Sequence, residues 1–281
     1  MTEVSGPSGL RGRSDRILLV ASAVVFFFYA AFHVSPFWAL SPLIWFLGAM
    51  AALAVLAFIN AVLVSGWRRA AVFLAFAASI GFAAEQVGIW TGLIFGPYDY
   101  TDKLGLKLID VPLVIPLCWF AVVYFAHTLV NIIVMGTPSC GRLSLGQAAL
   151  LALVTAFVAT GFDVAVDPMM SHPDVNAWTW TQGGAYFGVP FKNFQGWVAT
   201  VLVIDLAFRL FARRNPRRPS LHQENWAARW AIAAWAGLGF GVMIIGFPVE
   251  TQLVAVFCLF LPALLAIARQ WAPDRTTGRS A

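Results

Sequence analysis

The chain has 281 residues, of which 60% are hydrophobic and 11% charged, with a formal net charge of +5. A soluble domain carries about 25% charged residues, so this composition excludes one and describes a polytopic membrane protein. The three cysteines, Cys118, Cys140 and Cys258, are far apart and form no CxxC pair, which argues against a disulfide framework or a thiolate metal site.

A helix needs about 20 apolar residues to cross the hydrocarbon core of a bilayer. In chain order the qualifying stretches are 17–34, 43–65, 70–91, 111–134, 146–166, 194–211, 227–247 and 251–269. The first follows Arg11, Arg13 and Arg16, as a signal peptide would, but lacks a convincing cleavage site and reads as a span. The sixth is short and the eighth follows closely on the seventh, so six or seven spans stay open beside eight. The expected fold is all-α: one polytopic membrane bundle of about eight transmembrane helices over residues 1–281, with tails at 1–16 and 272–281.

Arginine marks alternate connections. Arg68 and Arg69 lie between spans 2 and 3, Arg142 between 4 and 5, and Arg213, Arg214, Arg217 and Arg218 between 6 and 7, with Arg269, Arg275 and Arg279 after span 8. The other connections hold only Lys103, Lys107 and Lys192. By the positive-inside rule both termini are cytoplasmic. The basic charge is then a topology signal, and "RRNPRRP" (Arg213 to Pro219) reads as a solvated loop rather than a nucleic-acid patch.

The acids show the opposite bias. Eight of thirteen fall at the outer ends of spans or in outer loops: Glu85, Asp99, Asp102, Asp110, Asp163, Asp167, Asp174 and Glu250. Two long outer loops, from Trp90 to Asp110 and from Asp167 to Phe194, are rich in aromatics, glycine and proline, and ordered loops of that length are usually functional. Any chemistry is expected to face outward.

Three acids lie inside spans. Glu85 sits about a turn and a half below the outer end of span 3. In "TGFDVAVDPMM", Asp163 and Asp167 are four residues apart, which puts both on one helix face, and Pro168 is expected to stop the helix. Ionisable residues at membrane depth mark functional sites by default. Apolar surroundings and a neighbouring like charge both favour a neutral carboxylic acid, the form that acts as a general acid. Trp178, Trp180, Tyr186, Phe187 and Trp197 follow close behind, and an indole face stabilises a cation. The bland alternative gives the acids to helix packing and the tryptophans to an interfacial belt.

Other polar residues weigh less. Asp205 and Arg209 read as an i,i+4 ion pair with a snorkelling arginine, and His127 and Asn131 as an interhelical contact. "GLIFGPY" and "GAYFGVP" resemble each other, a weak sign of two half-sites. No lysine lies inside a span, which excludes a retinal Schiff base. His33, His127, His172 and His222 cannot meet around one metal, and there is no Walker loop or dinucleotide fingerprint. The DxxxD pair lacks the basic residues of a magnesium-diphosphate site.

"EQVGIWTGLIFGPYDYTDKLG" (Glu85 to Gly105), "VPLVIPLCW" (Val111 to Trp119), the pair Asp167–Pro168, "WTW" (Trp178 to Trp180) and "GGAYFGVPFKNFQGW" (Gly183 to Trp197) together resemble the integral-membrane carotenoid biosynthesis proteins. The characterised members of that family are carotenoid 1,2-hydratases of the bacterioruberin and myxoxanthophyll type. The resemblance covers about 85–200. It implies an acyclic carotenoid with a ψ end group as substrate, water as co-substrate, no cofactor and no metal, in the cell membrane. It also leaves room for association with other enzymes of the pathway.

The expected reaction adds a proton at carbon 2 and captures the tertiary cation at carbon 1 with water. Asp163 or Asp167, with Glu85, is the expected donor. The remaining carboxylate or Asn193 positions water, Trp178 and Trp180 shield the cation, and Tyr98 and Asp99 form the opposite wall, with Tyr186 and Phe187 also against the substrate. Two rivals remain at this stage: a carotenoid or lycopene cyclase using the same proton, and a non-catalytic carotenoid binder.

Overall fold

The computed structural model describes residues 13–34, 42–213 and 219–272. Most of the two expected tails lies outside them, as do Arg214, Arg217, Arg218 and Trp38 and the side chains of His33 and Trp45.

Eight helices occupy the described residues: α1 (Arg13–Val34), α2 (Pro42–Ser65), α3 (Trp67–Thr91), α4 (Val114–Met135), α5 (Leu145–Met170), α6 (Phe191–Ala212), α7 (Leu221–Ile245) and α8 (Glu250–Trp271). The seven from α2 onward are long and apolar enough to cross a membrane, and the apolar part of α1 spans Arg16–Ala31. Most expected boundaries fall within a few residues of these. The largest departure is α7, which begins at Leu221 because Ser220 and Gln223 form a capping box in polar sequence ahead of the apolar run. Lys192, expected in a loop, lies in the exposed first turn of α6.

Helix α4 is apolar on every side and buried along most of its length, as expected of a helix enclosed by neighbours. Around it pack α2, α3, α5, α7 and α8, while α6 lies mainly against α5 and α3. Glycines at positive φ end α3 (Gly92, φ 63°) and α4 (Gly136, φ 77°).

Pro168 does not stop α5. The helix runs two residues further, to Met170, with the proline inside its last turn. Pro168 has no N–H for the carbonyl of Val164, four residues back. The Tyr186 hydroxyl fills that place, donating to Val164 O at 3.0 Å.

The two long loops meet at one end of the bundle. Strand β1 (Tyr98–Tyr100) of the first pairs antiparallel with a strand of the second, Trp178–Trp180, in the register Tyr98↔Trp180, Asp99↔Thr179, Tyr100↔Trp178. Between them in sequence lies a short hairpin, β2 (Lys107–Leu108) with β3 (Val111–Pro112), so Trp178–Trp180 is β4. Side chains alternate across a strand. The two tyrosines and two tryptophans of the ribbon therefore face one way, and Asp99 and Thr179 face the other. Further bonds join the loops, with Lys103 Nζ donating to Val175 O (2.7 Å) and Thr101 Oγ1 to Asn176 O (2.8 Å). Asp110 holds the first loop on α3 by accepting from Gln86 Nε2 (2.7 Å) and Trp90 Nε1 (2.8 Å).

Candidate active site

Beneath the β1–β4 ribbon is a cavity whose empty space, counted together with the solvent at its mouth, is about 550 Å³. All three intramembrane acids expected from the sequence line it. Glu85 comes from the sixth position before the end of α3, about 9 Å below that end at 1.5 Å per residue. Asp163 and Asp167 come from the last two turns of α5, and Asn193 from the first turn of α6. The cavity thus lies just inside one end of the bundle, where α3 and α5 finish and α4 and α6 begin.

The acids are dressed differently. Glu85 accepts three hydrogen bonds: from the Tyr98 hydroxyl, from Tyr100 Oη (3.0 Å) and from Trp119 Nε1 (2.9 Å). Asp167 also accepts three, from Trp178 Nε1 (2.8 Å) and Trp180 Nε1 (3.1 Å) on one oxygen and Asn193 Nδ2 (2.8 Å) on the other. Asp163 accepts one, from the same Asn193 amide at 2.6 Å. One amide nitrogen therefore bridges both aspartates, and their bridged oxygens can be no farther apart than those two bonds together. All three carboxyl groups are nearly sealed from solvent, with Asp163 and Glu85 5% exposed and Asp167 1%. Among the described residues no group of three or more His, Cys, Asp and Glu side chains is placed to hold a metal ion.

Aromatic rings make the walls. Tyr98 lies 5.1 Å from Trp180, and Tyr100 lies 5.9 Å from Trp178, between ring centroids. Trp119 stacks on Trp197 at 4.1 Å. Gly81 permits that placement, because a Cβ there would stand 2.6 Å from Trp119 Cγ. With α3 so close, the indole N–H reaches Glu85 one turn on. Burial, reinforced by the Glu85 carboxylate, holds the Tyr98 and Tyr100 phenols well above their ordinary range, so both remain donors.

Of the residues expected at the site, the structure brings together Glu85, Asp163, Asp167, Tyr98, Trp178, Trp180 and Asn193. Three others stand outside it. Asp99 is exposed on the outer side of the ribbon, because its strand position alternates away from the cavity. Tyr186 spends its hydroxyl on Val164, and Phe187 is 41% exposed, packed on Tyr186. Trp197, noted in the sequence beside the acids, also lines the cavity, as do Tyr100, Trp119, Phe162 and Cys118, which were not expected there. The alternation aromatic–polar–aromatic in "YDY" and "WTW" was the available signal for Tyr100, since period two is the mark of a strand.

A second polar cluster lies toward the opposite end of α4, α5 and α6. The Arg209 guanidinium donates to Asp205 Oδ2 (2.7 Å), Asn131 Oδ1 (2.9 Å) and Thr155 Oγ1 (3.2 Å). His127 bonds to Asp205 through Nδ1 and to Asn131 through Nε2. Arg209 does not snorkel: it is 0% exposed, held in the interior because every arm has a partner. Phe73 packs edge-on against both Phe120 and His127.

The sequence profile of carotenoid biosynthesis proteins matches residues 41–267, well beyond the stretch 85–200 that carried the resemblance. A bisanhydrobacterioruberin hydratase of Haloarcula japonica is 29% identical over 156 residues, which are 53% of this chain and 50% of that relative. The alignment thus spans about half the length of the curated relative. No solved structure matches. Since the profile covers α2 to α8 almost completely, and with them every residue lining the cavity, the chain belongs to the carotenoid biosynthesis protein family.

Proposed function

We propose that the protein is a hydratase that adds water to the terminal 1,2 double bond of an acyclic carotenoid. One observation carries the reading: three buried carboxyl groups share an aromatic cavity, and two are saturated with donors while the third, Asp163, has only one. Donors to a carboxylate favour its ionised form. Asp163 is then the group that carries a proton, and the Asp167 and Glu85 carboxylates are its anionic neighbours.

The step balances with water alone. The O–H bond of Asp163 breaks and a C–H bond forms at carbon 2, using the π electrons of the double bond. Carbon 1 becomes a tertiary cation, faced by the rings of Trp178, Trp180 and Trp197 and by two carboxylates. A water oxygen closes on carbon 1 and gives its proton to Asp167, from which a second water carries it back to Asp163, while the Asn193 amide, a donor to both, holds the two carboxyl groups in register. The product is a tertiary alcohol.

A carotenoid is about as long as the hydrocarbon core is thick, so its end reaches the depth of this cavity. The arginine distribution supports cytoplasmic termini and a site toward the outer face of the cell membrane. The test is expression in a host that accumulates acyclic carotenoids, with the pigment mass as readout. A gain of one water supports hydration. An unchanged mass with a shifted spectrum and retention assigns cyclisation instead, and pigment bound but unaltered assigns a binder.

A further inference from the structure

We infer that Tyr186 is a positioning residue for the two aspartates, acting through the α5 backbone carbonyl that Pro168 leaves without a donor. This deepens the proposed hydration and rests on it for the activity readout.

The helix turn that carries Asp163 and Asp167 also carries Pro168. A proline there takes away the hydrogen bond to residue i−4 and crowds that carbonyl. The orphan is Val164 O, one residue after Asp163 and three before Asp167. An unpaired carbonyl at this depth is costly, and a turn without its bond is free to open. The Tyr186 hydroxyl closes the gap at 3.0 Å, across 22 residues of sequence.

The loop is shaped to deliver that hydroxyl. Tyr186 to Val189 form a tight turn closed by Val189 N to Tyr186 O at 2.8 Å. Its central residues, Phe187 and Gly188, both have positive φ, 50° and 87°, which is the signature of a type I′ turn. A bulky residue such as Phe187 at positive φ is uncommon and held only where its surroundings demand it. The Tyr186 ring stands edge-on to Phe194 at 5.4 Å, on α6 beside Asn193. One side chain therefore touches α5 beside Asp163 and α6 beside Asn193. It sets the spacing on which the double donation of Asn193, 2.6 Å to Asp163 and 2.8 Å to Asp167, depends. Burial pushes the phenol up to about 12, so it stays a donor at physiological pH.

The arrangement predicts a specific rescue. Tyr186→Phe keeps the ring and loses the donor. It should lower kcat by about ten- to a hundred-fold, the scale of a small misplacement of catalytic groups, with KM little changed. Pro168→Ala restores an N–H four residues after Val164 and makes the tyrosine hydroxyl redundant. The double variant Tyr186→Phe/Pro168→Ala should recover most of kcat, and Pro168→Ala alone should be close to wild type. The same four proteins, purified in detergent, should show the matching order of thermal midpoints. If Tyr186→Phe keeps kcat, or lowers the midpoint without lowering kcat, the positioning role is overturned. If the double variant is no better than Tyr186→Phe, the carbonyl is not the point of action. Should wild-type protein fail to add water to any acyclic carotenoid, the hydration reading falls. The midpoints then still decide whether Tyr186 and Pro168 are coupled through Val164.

Discussion

Replacing Asp163 by asparagine separates the proposed proton donor from its neighbours. The side chain keeps its shape, and its carbonyl oxygen can still accept from Asn193, the one donor that Asp163 has, at 2.6 Å. The cost to folding is then within about 1 kcal/mol, the scale of a single neutral hydrogen bond. What disappears is the acid. A positioned general acid contributes roughly 10²- to 10⁴-fold in rate, or about 3–5 kcal/mol of barrier. Asp167→Asn should behave differently. Three donors converge on its two oxygens, so the new amide NH₂ must face either the indoles of Trp178 and Trp180 or the amide of Asn193. A donor turned against a donor in a sealed site costs about 1–3 kcal/mol of stability. The assay is the rate of hydrated pigment formation, paired with the thermal midpoint of purified protein. The expected pattern is an inactive, normally stable Asp163→Asn beside an inactive, destabilised Asp167→Asn. An Asp163→Asn protein that hydrates at the wild-type rate would refute the assignment of the proton to Asp163.

Three further outcomes are expected. Gly81→Ala should push Trp119 off its place, since the new Cβ meets Trp119 Cγ at 2.6 Å, at a cost of about 1–3 kcal/mol for overpacking. The altered stack on Trp197 is read by tryptophan fluorescence, and an unchanged spectrum and midpoint would show that α3 can yield there. Arg209→Met should destabilise the protein by about 3–5 kcal/mol, because Asp205 is left buried without its cation, whereas adding Asp205→Leu should recover part of the loss; denaturation in mixed micelles measures both. Stability should also fall at alkaline pH. Tyr98, Tyr100 and Tyr186 have raised folded values, Tyr186 to about 12, so above about pH 10 the unfolded chain releases protons that the folded one keeps. Below that both states hold them and the effect vanishes, so a thermal midpoint flat up to about pH 12 would show that these phenols are open to water.

The helices were readable because a bilayer leaves the chain little choice. Every backbone group must be satisfied within its own segment, and the hydrocarbon thickness sets the length, so apolar runs of the right size become helices. The aspartate spacing of four and the depth of Glu85 were legible for the same reason, since helix geometry converts sequence distance into position. Where a helix began in polar sequence, as α7 does at Leu221, hydropathy saw only its apolar part.

What the sequence by itself determined, then, is the set of helices, the membrane setting and the three acids at one depth. Tertiary structure alone decided how those acids differ. Asp163 and Asp167 are chemically alike and share a helix face, and nothing local assigns one donor to the first and three to the second. That difference comes from the β1–β4 ribbon, which turns the indoles of Trp178 and Trp180 onto Asp167, and from α6, which lays Asn193 between the pair. Asp99, adjacent in sequence to Tyr98, left the site because a strand alternates its sides, and Arg209 stayed inside because four partners from α4, α5, α6 and the loop after α4 were waiting for it. Hydrogen bonds are short-ranged and directional, and their partners here lie 11 to 78 residues apart along the chain, except for the Asp205–Arg209 and His127–Asn131 pairs, each within one helix. Only the packed bundle brings them within reach.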